Sequence, residues 1–166
     1  DRLPTAAEIE ALAHVAGDDL STATGRAFHA FRFACETAMR AGEICGLTWA
    51  NVDLERRVAH LPMTKNGTAR DVPMTAAAVE LLRPLVGRDP VFGLSSAQLD
   101  ALFRKIKAKA MIKGLTFHDS RAYALTALAR KVDVLTLAKI SGHRDLRILS
   151  NTYYRESAED IAQRLD

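Results

Sequence analysis

The apolar positions of the chain recur mostly at helical spacing, with one stretch that switches to strand alternation. Thr5-x-x-Glu8 reads as a capping box, and Ile9, Leu12 and Ala13 follow on one helix face. "DDLSTATG" reads as a loop. The pattern predicts a helix from about Arg26 to Met39, with Phe28, Phe31, Ala34 and Cys35 on one face, and a second helix running to about Leu47. From Val58 the period changes: Val58, His60 and Pro62 alternate with Ala59 and Leu61, Asn66-Gly67 supplies a tight turn, and Arg70 to Pro73 return. Asn-Gly between two short extended runs is a strong hairpin signal. Helices are predicted again over Thr75–Leu85, from the Ser95-x-x-Gln98 cap to about Lys113, and from the Thr116-x-x-Asp119 cap to about Lys131. Short helices follow over 133–141 and 145–153, and Ser157-x-x-Asp160 opens a last one whose apolar face is Ala158, Ile161, Ala162 and Leu165. The expected fold class is mainly α with a small antiparallel β-sheet.

At 166 residues this is about one domain, and 48% apolar with 26% charged residues is the balance of a globular chain with a good core. No apolar run approaches the roughly 20 residues of a membrane span, so no membrane partner is expected. "DRLPTAAEIEAL" reads as the end of a linker followed by a helix, so the chain is expected to be a piece of a longer protein. Cys35 and Cys45 form no disulfide framework and are expected to be half-buried thiols in a reducing compartment. The net charge of +3 hides an asymmetry: residues 101–155 hold 12 Lys/Arg against 3 Asp/Glu, whereas residues 1–100 hold 10 against 13. A basic block of this kind is the electrostatic footprint of a polyanion, and nucleic acid is the expected partner.

Several short constellations carry chemistry. Arg40 and Glu43 stand at i, i+3 in "ETAMRAGEICGL", a segment otherwise apolar or small. A surface ion pair would contribute little, but an arginine set in such a segment suits recognition of an oxyanion. His118 and Arg121 share a face near the start of a predicted helix, where anions are favoured. Lys65 sits at the hairpin tip, from which its ammonium could donate a proton. His14, His29 and His60 read as structural. Gly142-His143 leads to the adjacent Tyr153 and Tyr154. Each of these is weak alone; their order along one chain is specific.

That order resembles the catalytic domain of the tyrosine recombinases, the phage integrase family. Thr37-Ala38-Met39-Arg40-Ala41-Gly42-Glu43, continuing to Leu47, is similar to the family's first box. Lys65 matches its hairpin lysine, His118 to Ala122 its second box, and Ser141-Gly142-His143 the Gly-His box. Ala38, Ser120 and Ala122 depart from a common Gly, Leu and His, and none of these removes a reactive side chain. The usual position of the tyrosine is here Thr152, so Tyr153 fits with the smaller shift and Tyr154 is the alternative. A loosened turn near Ser150-Asn151 is expected to absorb the extra residue.

The resemblance implies the DNA breaking-rejoining fold over residues 1–166 as a single catalytic domain, with the family's N-terminal DNA-clamp domain absent. It implies site-specific recombination or integration in a phage, prophage or other mobile element. Duplex DNA would be the partner, a homotetramer the synaptic form, a monomer the state without DNA, and the bacterial cytoplasm or nucleoid the location. In this reading Tyr153 attacks a phosphodiester. Arg40 and Arg121 stabilise the charge a metal would handle elsewhere, so no cofactor is expected. A tyrosine of ordinary pKa near 10 needs a base or cationic surroundings. His118 would accept its proton, His143 would hydrogen-bond the phosphate, Lys65 would protonate the leaving 5′ oxygen, and Glu43 would hold the arginine site in place. Tails such as the last helix often pack on a neighbouring protomer in this family. Type IB topoisomerase-like relaxation and a non-catalytic DNA-binding module are the alternatives.

Overall fold

The computed structural model describes residues 2–63 and 67–166. The first helix, α1 (Ala6–Ala16), is opened by the Thr5 and Glu8 capping box. The second, α2 (Ala23–Thr37), is the central element and packs against α1 and the later helices α4 (Ala76–Leu82), α5 (Ser96–Lys109) and α6 (Asp119–Ala129). Its burial follows from composition: Phe28, Phe31, Phe33 and small alanines face inward nearly all round. Phe31 stacks on Phe103 of α5 at 4.8 Å between ring centroids and meets Phe117 edge-on at 5.6 Å.

Between α2 and α3 (Ala41–Cys45) the chain does not run straight on. Ala38 takes the left-handed conformation, φ 62°, and closes α2 through its amide to Ala34 O. That region costs a residue with a Cβ about 1–2 kcal/mol, which explains the suitability of glycine there. Ala38 is fully buried, so its methyl group returns packing that a glycine would lack. The break places Arg40 at the N-cap of α3, and α3 ends at Cys45, earlier than the expected Leu47.

The predicted hairpin is present as β2 (Val58–Leu61) and β3 (Arg70–Pro73), with Ala59 opposite Val72 and Leu61 opposite Arg70. Ala59 and Leu61 are buried and His60 is exposed, as the alternation requires. A two-residue strand β1 (Val52–Asp53) pairs with the other edge of β2, giving a three-stranded antiparallel sheet with β2 in the middle. The hairpin tip, with Lys65, lies outside the described residues.

Helix α4 is followed by a 3₁₀ turn over Arg83–Leu85. Helix α5 starts at its predicted cap, Ser95 with Gln98, but stops at Lys109, short of the expected Lys113; just beyond, Met111 has a positive φ. Helix α6 begins later than the Thr116 cap suggests. The Asp119 carboxylate does accept from the Thr116 amide at 2.8 Å, but residues 116–118 form tight turns and His118 becomes the N-cap.

Helices α7 (Val134–Ser141) and α8 (Leu146–Tyr153) occupy the expected spans, capped by Asp133 and Asp145. Helix α8 is continuous through Ser150-Asn151, with the Tyr154 amide bonded to Ser150 O, so the expected loosened turn is not there. Helix α9 (Ala158–Arg164) has its capping box, and every residue of it is exposed.

The described residues form two apolar clusters. The larger surrounds α2. The smaller joins Ala38 to Ala124 and Leu125 of α6, Leu137 and Ala138 of α7 and Leu149 of α8, and both Tyr153 and Tyr154 pack on it. Helix α7 also packs on β3, which brings the loop after α7 beside the hairpin and the α2–α3 break.

Candidate active site

Arg121, on the first turn of α6, is 4% exposed. Its Nη1 donates to the carbonyl of Ala38 at 2.6 Å and to that of Ser141 at 3.3 Å. The left-handed residue that ends α2 and the last residue of α7 thus hold one side of the guanidinium. Its pKa falls to about 10, through burial first and then the positive charge of Arg40. It remains a cation at neutral pH.

His143 follows Gly142, which ends α7 at φ 79°. Ser141 Oγ lies 2.7 Å from His143 Nδ1 and accepts the His143 amide at 3.3 Å. The hydroxyl's other acceptor, Ala138 O, is farther away at 3.5 Å, so the serine proton goes to Nδ1. Arg121 Nη2, which can only donate, stands 3.4 Å from the same nitrogen. Nδ1 is therefore an acceptor, and the neutral ring carries its proton on Nε2. Burial, then Arg121, Arg40 and Arg70, push the pKa of His143 down to about 4, which keeps the ring neutral at pH 7.

Arg40 and Glu43 come together as their spacing suggests, but not as a simple pair. The Glu43 carboxylate accepts the Arg40 amide at 3.0 Å, while Arg40 Nη1 is 3.8 Å from Oε2, too long for a hydrogen bond. Arg40 Nη1 is buried with no hydrogen-bond partner among the described residues. The cation that binds Glu43 is Arg70 of β3, at 2.6 and 2.9 Å. Burial alone would raise the Glu43 pKa, but hydrogen bonds from Arg70 and the Arg40 amide, with both arginine charges, outweigh it and hold the carboxylate below its usual range. Sequence reasoning missed Arg70, which looks like any polar residue of a short strand. The only local signal is its place on the hairpin's return strand.

Tyr153 lines a cleft of about 110 Å³ together with His118, Asp119, Arg121 and His143. Burial raises its pKa and the Arg121 charge opposes that rise, so it is protonated at pH 7. Tyr154 leaves α8 in a non-helical conformation, and its hydroxyl donates to Val132 O at 2.6 Å. The two rings therefore have different surroundings. Lys65 lies outside the described residues. Of the histidines read as structural, His29 Nε2 lies 2.5 Å from Leu81 O, and His60 Nδ1 lies 2.6 Å from Asp71 across the hairpin. Cys35 and Cys45 are more buried than expected, and burial pushes the Cys35 thiol up to about 12. Among the described residues no three or more His, Cys, Asp or Glu side chains converge to hold a metal, and no helix is long and apolar enough to cross a membrane.

This helical scaffold with a three-stranded sheet, and Arg121, two histidines and a tyrosine at one cleft, defines a class. The phage integrase family model matches residues 3–160, and the chain belongs to that family, the tyrosine recombinases. A Haemophilus influenzae protein named as a candidate integrase/recombinase is 52% identical over 153 residues, covering 90% of this chain and 50% of that protein. A shufflon-specific DNA recombinase of Escherichia coli is 37% identical, covering 82% of this chain and 36% of its own. The chain spans half or less of the length of these relatives. In fold it is similar to the Tn1549 transposon integrase in complex with transposon right end DNA, at TM-score 0.77 and 20% identity over 99% of this chain and 65% of that one. XerA recombinase gives TM-score 0.72 at 19% identity, over 99% and 64%. The fold class read from the sequence, mainly α with a small antiparallel sheet in the tyrosine-recombinase catalytic fold, is the one observed.

Proposed function

We propose that this chain is the catalytic domain of a site-specific DNA recombinase, with Tyr153 as nucleophile. The observation that carries this reading is the cleft that Tyr153 shares with His118, Arg121 and His143, while the Tyr154 hydroxyl is engaged by Val132 O. The tyrosine oxygen attacks the scissile phosphorus, the bond to the 5′ oxygen breaks, and a 3′-phosphotyrosyl link and a free 5′ hydroxyl result. His118 takes the tyrosine proton, and Lys65 supplies one to the leaving oxygen. As the phosphorane forms, charge grows on the non-bridging oxygens. Arg40 Nη1, the free edge of Arg121 and the Nε2–H of His143 are donors suited to it. The link conserves the bond energy, so a 5′ hydroxyl of another strand can reverse the step and complete exchange without a nucleotide cofactor.

The relatives named as DNA recombinases, and the integrase seen on transposon DNA, support duplex DNA as the substrate. The basic block over residues 101–155 supplies charge for phosphate contacts, so binding should weaken steeply with salt. The active assembly in this reading is a homotetramer on two duplexes, formed from monomers, in the bacterial cytoplasm or nucleoid. Adduct trapping on nicked duplexes with a randomised core tests the reading. A covalent protein–DNA species that persists in excess EDTA and maps to Tyr153 is expected. Absence of any adduct, or an adduct that requires Mg²⁺, would overturn it.

A further inference from the structure

We propose that Arg70 is a positioning residue that occupies Glu43 and so keeps Arg40 available for the scissile phosphate. The inference rests on the reading above, in which Arg40 binds that phosphate. Arg40 and Glu43 lie at i, i+3, a spacing at which opposite charges ordinarily pair. Here they are within ion-pair distance but make no side-chain hydrogen bond. Glu43 Oε2 is 2.6 Å from Arg70 Nη1 but 3.8 Å from Arg40 Nη1. Glu43 Oε1 takes Arg70 Nη2 at 2.9 Å and the Arg40 amide at 3.0 Å. Both carboxylate oxygens are thus turned to the strand arginine. The neighbouring guanidinium is left with a buried Nη1 that has no hydrogen-bond partner among the described residues. A buried cationic donor without a hydrogen bond suits an incoming anion.

Arg70 itself is not placed to meet substrate. Both its side chain and that of Glu43 are 8% exposed. Its Nε donates to Ile140 O at 3.0 Å, so all three guanidinium nitrogens are engaged. Its guanidinium also lies against Gly142, where a Cβ would stand 3.1 Å from Nη1. The fork is therefore fixed by the end of α7, and its two remaining nitrogens present the parallel geometry that a carboxylate accepts. A lysine would offer one point charge and could not hold both oxygens in this way. With Arg70 removed, the nearest cation to Glu43 is Arg40, and a movement of less than about 1 Å brings the pair to ordinary hydrogen-bond length. Arg40 would then give its Nη1 hydrogen bond to its own neighbour.

The test is single-turnover adduct formation on nicked duplexes selected from a randomised core, below the melting temperature of each variant. Arg70→Met should cleave roughly 100-fold more slowly, the usual effect of losing one preorganised donor, with DNA affinity little changed. Adding Glu43→Gln should return the rate to within roughly tenfold of the unaltered chain, since a neutral amide cannot pair with Arg40 as an ion. A purely structural role would let the double variant regain melting temperature without regaining rate. That outcome, or an Arg70→Met chain as fast as the original, would overturn the proposal. If Arg70→Met does not fold, Arg70→Lys with and without Glu43→Gln makes the same comparison. Arg40→Ala is the separate control: if it cleaves at full rate, Arg40 does not bind the phosphate, and the parent reading fails with its consequence.

Discussion

Ser141 Oγ lies 2.7 Å from His143 Nδ1, and the serine and histidine are two residues apart across the left-handed Gly142. This contact and the Arg121 donor fix the ring with its proton on Nε2. Nitrogen-15 NMR of the imidazole should therefore show a neutral, Nε2-protonated ring at pH 7. Ser141→Ala should give a mixed tautomer population and slow adduct formation about fivefold, the equivalent of roughly 1 kcal/mol for one hydrogen bond. An unchanged spectrum in that variant would show that the serine does not set the tautomer.

His143 also makes a pH prediction. Its folded pKa, about 4, lies below the ordinary value of 6.5. Between those values the unfolded chain binds a proton that the folded chain does not, so stability rises with pH. The contribution is complete above the unfolded value and is lost as pH falls toward 4. His29 shifts in the same direction through burial, so the total drop is not assignable to one ring. The comparison that isolates His143 is the His143→Gln variant. Its loss of stability between pH 7 and pH 5, from urea midpoints, should be smaller than that of the unaltered chain. Equal losses would mean that the ring is not held neutral by its surroundings.

Much of this architecture is local and therefore legible. Capping boxes at Thr5, Ser95 and Ser157 announce helices that are there, because a cap is a contact between residues three apart. The alternation of Val58 to Leu61 announces a half-buried strand for the same reason. Three features escape such reading. The left-handed Ala38 is one residue inside an apolar helical pattern, and periodicity does not register it. The two-residue strand β1 is too short to show alternation. Arg70 acts on Glu43, 27 residues away, and on Ile140, 70 residues away. The packing of α7 on β3 brings Ile140 to Arg70, and Glu43 comes from α3. The candidate site residues stand as an ordered set along the chain, whereas the partnership of Arg70 with Glu43 is a property of the fold.

Helix α9 has seven residues, none of them buried, with Ile161 41% and Leu165 78% exposed. A helix so short is marginal in water without tertiary support. Its apolar face should be covered by a second copy of the chain when recombining DNA is assembled. Ile161→Asp should therefore leave melting temperature and first-strand adduct formation near their original values while impairing synaptic complexes in native gels. Loss of stability together with both activities would mean that the helix docks within its own chain.

The adjacent tyrosines give the last prediction. Tyr153 is the final residue of α8 and opens on the cleft with Arg121 and His143. Tyr154 turns away, and its hydroxyl is bonded to Val132 O just before α7. Adjacent positions on a helix point about 100° apart, and Tyr154 leaves the helix in a non-helical conformation. Because α8 is continuous through Ser150-Asn151, no local loosening accounts for the extra residue before Tyr153; its place is set by where the helix ends. Tyr153→Phe should abolish the covalent adduct and leave DNA affinity unchanged, since a phenyl ring keeps the packing on Leu149 and its neighbours. Tyr154→Phe should still form the adduct and should lose about 1 kcal/mol of stability with the hydrogen bond to Val132. If the adduct survives Tyr153→Phe and disappears with Tyr154→Phe, then Tyr154 is the nucleophile. In that case the chain must release its hydroxyl from Val132 and swing the ring into the cleft when DNA binds.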